Sequence, residues 1–150
     1  MTTTQRAIIL VADDDADDRQ LTLEALAKCN VTNDLQFVHD GRDLLDYLRH
    51  EGKRAETLSP RPTLILLDLN MPRMSGAEAL AEIKADPTLR QIPIVILSTS
   101  RTDADVRATY ALGASSYITK PVTFDGLVRA MTSLTQYWFE LVELPAECVP

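Results

Sequence analysis

The sequence predicts an α/β fold: a doubly wound, five-stranded parallel sheet with helices on both faces. Two observations predict it. Short apolar runs alternate five times with stretches of helical periodicity, and such alternation demands parallel strands joined by right-handed crossovers, hence a three-layer αβα sandwich. The run Leu64-Ile65-Leu66-Leu67 is apolar at every position, as suits a strand buried on both faces of a parallel sheet. It runs into Asp68, and Met71-Pro72 prevents the strand from continuing.

The elements follow in order. Ala7 to Ala12 reads as a buried strand, and Asp18 to Cys29 as a helix with Leu21, Ala25, Leu26 and Cys29 on its core face. Leu35 to Val38 is the second strand. Asp40-Gly41 makes a turn, after which Leu44, Leu45 and Leu48 recur at helical spacing. The polar stretch from Arg49 to Pro62 that follows is long for a connection, roughly 14 residues where two to six is usual. Beyond Pro72 the chain turns at Ser75-Gly76, and Ala79, Leu80 and Ile83 carry a third helix that stops before Pro87. Ile92 to Leu97 is the fourth strand. A helix from about 104 to 112 ends at Gly113, Ser116 to Thr119 gives the fifth strand, and Leu127, Val128, Met131, Leu134, Trp138 and Leu141 line a last, long helix.

With 150 residues, 45% hydrophobic and 25% charged, the chain is expected to form one domain spanning 1–150, with a core over about 6–135 and a helical extension over about 136–150. Its net charge of −7 argues against a phosphate-backbone partner and for proteins or a cation instead, so no nucleic acid is expected. No apolar run approaches the roughly 18 residues that span a bilayer, and the opening Met1-Thr2-Thr3-Thr4-Gln5-Arg6 is no signal peptide. A cytoplasmic protein without membrane contact is the expectation. Cys29 and Cys148 show no metal or redox spacing, and Cys29 reads as a small core residue.

Function concentrates at the strand ends. Open α/β sheets bind ligands at the carboxyl ends of their strands. Here those ends carry Asp13-Asp14-Asp15, Asp68, Ser98-Thr99-Ser100 and Lys120-Pro121. Crowded carboxylates repel one another, and the simplest relief for Asp13, Asp14 and Asp68 is a hard divalent cation, Mg²⁺ above all, which takes one or two protein carboxylates and keeps waters. A carboxylate beside Mg²⁺, an ammonium and a small hydroxyl is equipped to attack phosphorus, with Asp68 as nucleophile and Mg²⁺, Lys120 and Ser98 holding the oxygens of the acyl phosphate. Asp15, Asp17 and Asp18 are read as the cap and first-turn charges of the first helix.

These residues resemble the receiver domain of two-component response regulators. Val11-Ala12-Asp13-Asp14-Asp15 is similar to the family's acidic cluster, Leu67-Asp68-Leu69-Asn70-Met71-Pro72 to its phosphoacceptor strand, Ile96-Leu97-Ser98 to its switch hydroxyl, and Tyr117-Ile118-Thr119-Lys120-Pro121 to its lysine segment. The resemblance implies a flavodoxin-like sheet of order 2-1-3-4-5. It implies Asp68 as the phosphorylated aspartate, Asp13, Asp14 and the Asn70 backbone carbonyl as further ligands of Mg²⁺, and Lys120 as the phosphate contact. It also implies Ser98 and Tyr117 as a coupled switch, and a cis Lys120-Pro121 bond. The three consecutive aspartates leave the register of the acidic pair open by one; placing Leu21, Ala25, Leu26 and Cys29 toward the core favours Asp13 and Asp14.

The polar insertion His50 to Pro62 and the ending Tyr137-Trp138-Phe139-Glu140-Leu141-Val142-Glu143-Leu144-Pro145 resemble a narrower group, regulators that work alone with phytochrome-type sensor kinases. There such a tail serves dimerisation, which here would place Tyr137, Trp138, Phe139 and Leu141 at a partner; the alternative is that the stripe folds back onto its own domain. The expected function is therefore a single-domain response regulator that accepts a phosphoryl group on Asp68 from a sensor histidine kinase or a histidine phosphotransfer protein. It assists that chemistry without being a turnover enzyme and acts through protein contacts. A scaffold that no longer accepts phosphate is the alternative, and an aspartate-nucleophile phosphatase a weaker one, since such enzymes place a second aspartate as general acid where this chain has Asn70. A flavin module is disfavoured by the acidic loop after the first strand, which repels a flavin phosphate.

Overall fold

The computed structural model describes residues 8–29, 34–56 and 59–138. Five parallel strands, β1 (Ile8–Ala12), β2 (Asp34–Val38), β3 (Leu64–Leu67), β4 (Ile94–Ser98) and β5 (Ser116–Thr119), form one sheet in the order β2-β1-β3-β4-β5. The helices between and after them are α1 (Ala16–Lys28), α2 (Gly41–Arg49), α3 (Gly76–Ala85), α4 (Asp103–Ala111) and α5 (Phe124–Gln136), with one 3₁₀ turn at Gly52–Arg54. Each of the five helices starts on a side-chain cap: Asp15, Asp40, Ser75, Thr102 or Thr123, with a reciprocal capping box between Ser75 and Glu78.

Every residue of β1, β3 and β4 is buried, because helices cover both faces of the sheet. Strand alternation divides the core in two. Leu10, Ala12, Ile65, Leu67, Ile94 and Ile96 face α2 and α3, while Ile9, Val11, Leu64, Leu66, Val95 and Leu97 face α1 and α5. The edge strands β2 and β5 are mostly half-buried.

The boundaries differ from expectation for stated reasons. Pro93 lacks an amide hydrogen, so β4 begins at Ile94 and not at Ile92, which belongs to a turn closed on Leu89. Helix α1 begins two residues earlier than expected, since Asp15 accepts from the Asp17 and Asp18 amides. Its core face is Thr22, Ala25 and Leu26 with Cys29 partly buried; Leu21 is 41% exposed. Positions 22, 25, 26 and 29 keep the i, i+3, i+4, i+7 spacing that Leu21 breaks. Cys29 packs between α1 and α5, its Sγ 3.1 Å from Thr132 Oγ1. The long polar connection is anchored: the Arg54 guanidinium donates two bonds to the Asp43 carboxylate, and the Tyr47 hydroxyl donates to the Pro60 carbonyl. Trp138 packs against the α1–α5 half of the core, edge-on to Tyr137, which is 53% exposed. Phe139, Leu141 and Cys148, together with the extension beyond them, lie outside the described residues. No described helix is long and apolar enough to cross a membrane.

Candidate functional site

The sheet ladder sets the site. The amide of Asp13 donates to the Val38 carbonyl of β2, that of Asp68 to Ala12 of β1, and that of Lys120 to Ser98 of β4. Each residue one step past its strand is thus fixed by the neighbouring strand, and all stand on one edge. Asp13, at 3% exposure, and Asp68, at 9%, are buried, whereas Asp14 is exposed.

Lys120 joins these groups. Its Nζ lies 2.9 Å from Asp13 Oδ2, 2.9 Å from Asp18 Oδ2 and 3.3 Å from Asp68 Oδ2, so all three ammonium hydrogens have a carboxylate acceptor. Burial opposes the charge on Lys120. The bonds from Asp13 and Asp18 and the charge of Asp68 outweigh it and push the ammonium above the usual lysine range. For Asp68 burial dominates in the other direction: together with the charge of Asp13 it raises the carboxyl above its ordinary value, although Lys120 and the Asn70 amide favour the ionised form.

Carboxylate oxygens of Asp13, Asp14 and Asp68 lie within 4.8 Å of one another, close to the span of about 4.2 Å between opposite ligands of an octahedral Mg²⁺. Hard oxygen donors, two of them buried and short of positive charge, fit a divalent cation. Of the three consecutive aspartates, Asp13 and Asp14 reach this distance of Asp68, while Asp15 caps α1.

The loop after Asp68 is pinned closely. A Cβ on Gly76 would lie 2.1 Å from the Asp68 carbonyl, and one on Gly41 would lie 2.4 Å from the Met74 carbonyl. The Gly76 amide donates to Leu69 and the Gly41 amide to Met74. Arg73, in the left-handed region at φ 62°, reaches the buried Asp40 carboxylate at 2.8 Å. The Asn70 amide donates to Asp68 Oδ1 at 3.3 Å, which turns the chain around that carboxylate.

Ser98 ends β4, fully buried, and its Oγ accepts from the Ser100 amide. Tyr117, on β5, donates its hydroxyl to the Ser100 carbonyl at 2.9 Å, so the loop after Ser98 links the two expected switch residues. Thr99 is exposed. The expected cis Lys120-Pro121 bond is absent: the bond is trans, the form that X–Pro bonds favour by about 0.5–1 kcal/mol.

Two contributors escaped the sequence reading. Asp18, read as a first-turn charge, turns out to hold Lys120. Tyr110 accepts the Tyr117 amide on its hydroxyl and so covers a donor on the outer edge of β5. The signal available for Asp18 was its place in the first turn of α1, directly after a loop that starts at the acidic pair.

The chain matches the response regulator receiver domain over residues 9–132. It is 40% identical over 141 residues to the response regulator Rcp1 of Synechocystis sp., covering 94% of each chain. Among solved structures it resembles the phosphorylated cyanobacterial phytochrome response regulator RcpA at a TM-score of 0.86 and 40% identity, covering 94% of this chain and 99% of that one. It also resembles the Mn²⁺-bound form of Rcp1 at 0.85 and 38%, covering 93% and 99%. A match that begins in β1 and runs well into α5 carries the five strand ends with it, and the chain belongs to the response regulator receiver domain family.

Proposed function

We propose that Asp68 accepts a phosphoryl group from a histidine of a phytochrome-type sensor kinase or of a histidine phosphotransfer protein, with Mg²⁺ bound by Asp13, Asp14, Asp68 and the Asn70 carbonyl. The observation that carries the reading is the meeting of Asp68 with one ammonium and two further carboxylates at a strand end. Ionised Asp68 attacks phosphorus, the phosphorus–nitrogen bond of the donor breaks, and the imidazole leaves with that electron pair and takes up a proton. Bound Mg²⁺ would supply positive charge that screens the attacking carboxylate from the phosphoryl oxygens. Lys120, already 3.3 Å from the Asp68 carboxylate, donates to a phosphoryl oxygen, and the Ser98 hydroxyl leaves the Ser100 amide, from which it accepts, and donates its own proton to another phosphoryl oxygen. That exchange frees the Ser100 segment, on whose carbonyl Tyr117 is held, and carries the event toward α4 and β5. The protein is then a phosphoacceptor that assists its own chemistry, with output through protein contacts.

RcpA has been observed phosphorylated and Rcp1 with Mn²⁺, and 40% identity to RcpA, a phytochrome response regulator, supports the partner class. A homodimer through the carboxyl-terminal helix is proposed with them, since Tyr137 is exposed while Trp138 is committed to its own core. The test is labelling by a phosphorylated phytochrome-type kinase and by acetyl phosphate with Mg²⁺. Wild type acquires an acid-stable, hydroxylamine-labile label and Asp68→Asn none; a labelled Asp68→Asn protein would overturn the assignment.

A further inference from the structure

Asp18 is the one partner of Lys120 that has no place among the cation-ligating carboxylates. Asp13 and Asp68 belong, with Asp14, to the carboxylates that could hold a divalent cation, and both are also bound by the ammonium. Asp18 stands outside that cluster, on the first turn of α1, with its side chain 39% exposed against 4% for Asp13. It binds Nζ as closely as Asp13 does, at 2.9 Å.

We propose that Asp18 is a positioning residue that draws Lys120 toward α1, leaving Asp13 and Asp68 open to the divalent cation and keeping a counter-charge on the lysine while it contacts the phosphoryl group. The inference rests on the reading of Asp68 as the phosphoacceptor beside a metal site. The physics is competition. An ammonium and a divalent cation seek the same carboxylate oxygens, and without Asp18 the lysine has, among the described residues, Asp13 and Asp68 to satisfy its charge. Its hold on them tightens and the cation must displace it. With Asp18 in place, the lysine gives up those two contacts without becoming an unpaired, largely buried charge. The same anchor keeps Nζ near the site after phosphorylation, when one of its three donors goes to a phosphoryl oxygen.

Asp17 supplies an internal control. It is one residue away, exposed, carries the same charge at the same helix end, and makes no bond to Lys120. Removing either charge weakens through-space attraction of the cation, but only Asp18→Asn alters the lysine.

The experiment is isothermal titration of the metal-free, full-length protein with MgCl₂ at fixed ionic strength, for wild type, Asp17→Asn, Asp18→Asn and the same two changes in a Lys120→Met background. Asp18→Asn is expected to raise the Mg²⁺ Kd about 3- to 10-fold and Asp17→Asn less than about 2-fold, the contrast expected of a directly contacting group against a distant one. With Lys120→Met the two changes become equivalent. Acetyl phosphate labelling at saturating Mg²⁺ is slowed by Asp18→Asn, which a purely structural role at an exposed first turn would leave unchanged. Equal effects of Asp17→Asn and Asp18→Asn, or an Asp18→Asn effect undiminished in the Lys120→Met protein, overturn the inference; the first comparison decides even if Lys120→Met does not fold. Absence of Mg²⁺ binding by wild type would instead remove the metal-site reading itself, and the inference with it.

Discussion

Asp68 is a carboxylate that the fold holds at a cost. Burial and the neighbouring charge of Asp13 raise its pKa, so the metal-free native state favours the protonated form more than the unfolded chain does. Asp68→Asn keeps an acceptor for Lys120 and removes the charge. Its melting temperature without divalent cation is expected to rise by about 2–4 °C, the shift that about 1 kcal/mol produces in a domain of this size, while its gain from Mg²⁺ shrinks. Calorimetry with chelator and with Mg²⁺ checks both. Lys120→Met acts in the opposite sense, because it strands Asp13 and Asp68 without a counter-charge. A loss of about 3 kcal/mol is expected in chelator, largely restored by Mg²⁺. At this scale the strand pattern made positions legible: Asp13, Asp68 and Lys120 stand one step past their strands and Ser98 at the end of β4. Asp18 was not, because an acidic residue in a first helical turn has a sufficient local explanation in the helix dipole, and its contact with Lys120 spans 102 positions of sequence.

The elements were legible from hydrophobic period and turn residues, and their errors were errors of register. Leu21 outweighs Thr22 on any hydropathy scale, yet the bonds of Asp15 to Asp17 and Asp18 fix where α1 starts and so which face meets the core. The 3₁₀ turn at Gly52–Arg54 was hidden because one of its anchors, the pair of bonds from Arg54 back to Asp43, spans 11 positions and leaves no local pattern. The loop from Asp68 to Gly76 reads as an ordinary turn in sequence, and only the fold shows that it leaves no room for a single methyl group at Gly76. Gly76→Ala is expected to lower stability by roughly 1–3 kcal/mol by forcing the Asp68 carbonyl aside. Mg²⁺ affinity should fall with it, since the displaced segment carries both Asp68 and Asn70. Urea denaturation and Mg²⁺ titration measure the two effects separately. Gly113→Ala, at φ 106° but remote from the site, should destabilise and leave Mg²⁺ binding unchanged.

Across the whole molecule Asp40 and Asp43 on one side and Asp68 on the other carry opposite pH signatures, and Mg²⁺ separates them. For Asp40, burial is outweighed by Arg73 and by the Asp43 and Arg42 amides, and for Asp43, burial is outweighed by Arg54 and the His39 amide; both pKa values lie below the ordinary 3.8. Their stabilisation is present above that value and is lost as pH falls through the depressed ones, so they contribute to acid unfolding. Asp68 is raised, and its contribution has the reverse sign: present at pH below 3.8 and lost as pH rises through its elevated value. The metal-free protein should therefore gain less stability between pH 4 and pH 7 than its Asp68→Asn variant does. A divalent cation that binds only the native state adds RT ln(1 + [Mg²⁺]/Kd), about 1.4 kcal/mol at ten times Kd, and only where the carboxylates are ionised. The expected result is a Mg²⁺-induced rise of about 3 °C in melting temperature at pH 7 that fades toward pH 4 in wild type and is reduced at every pH in Asp68→Asn. Melting curves at paired pH values with Mg²⁺ or chelator test it; a Mg²⁺ effect that persists undiminished at pH 4 would place the cation somewhere other than the cluster of Asp13, Asp14 and Asp68.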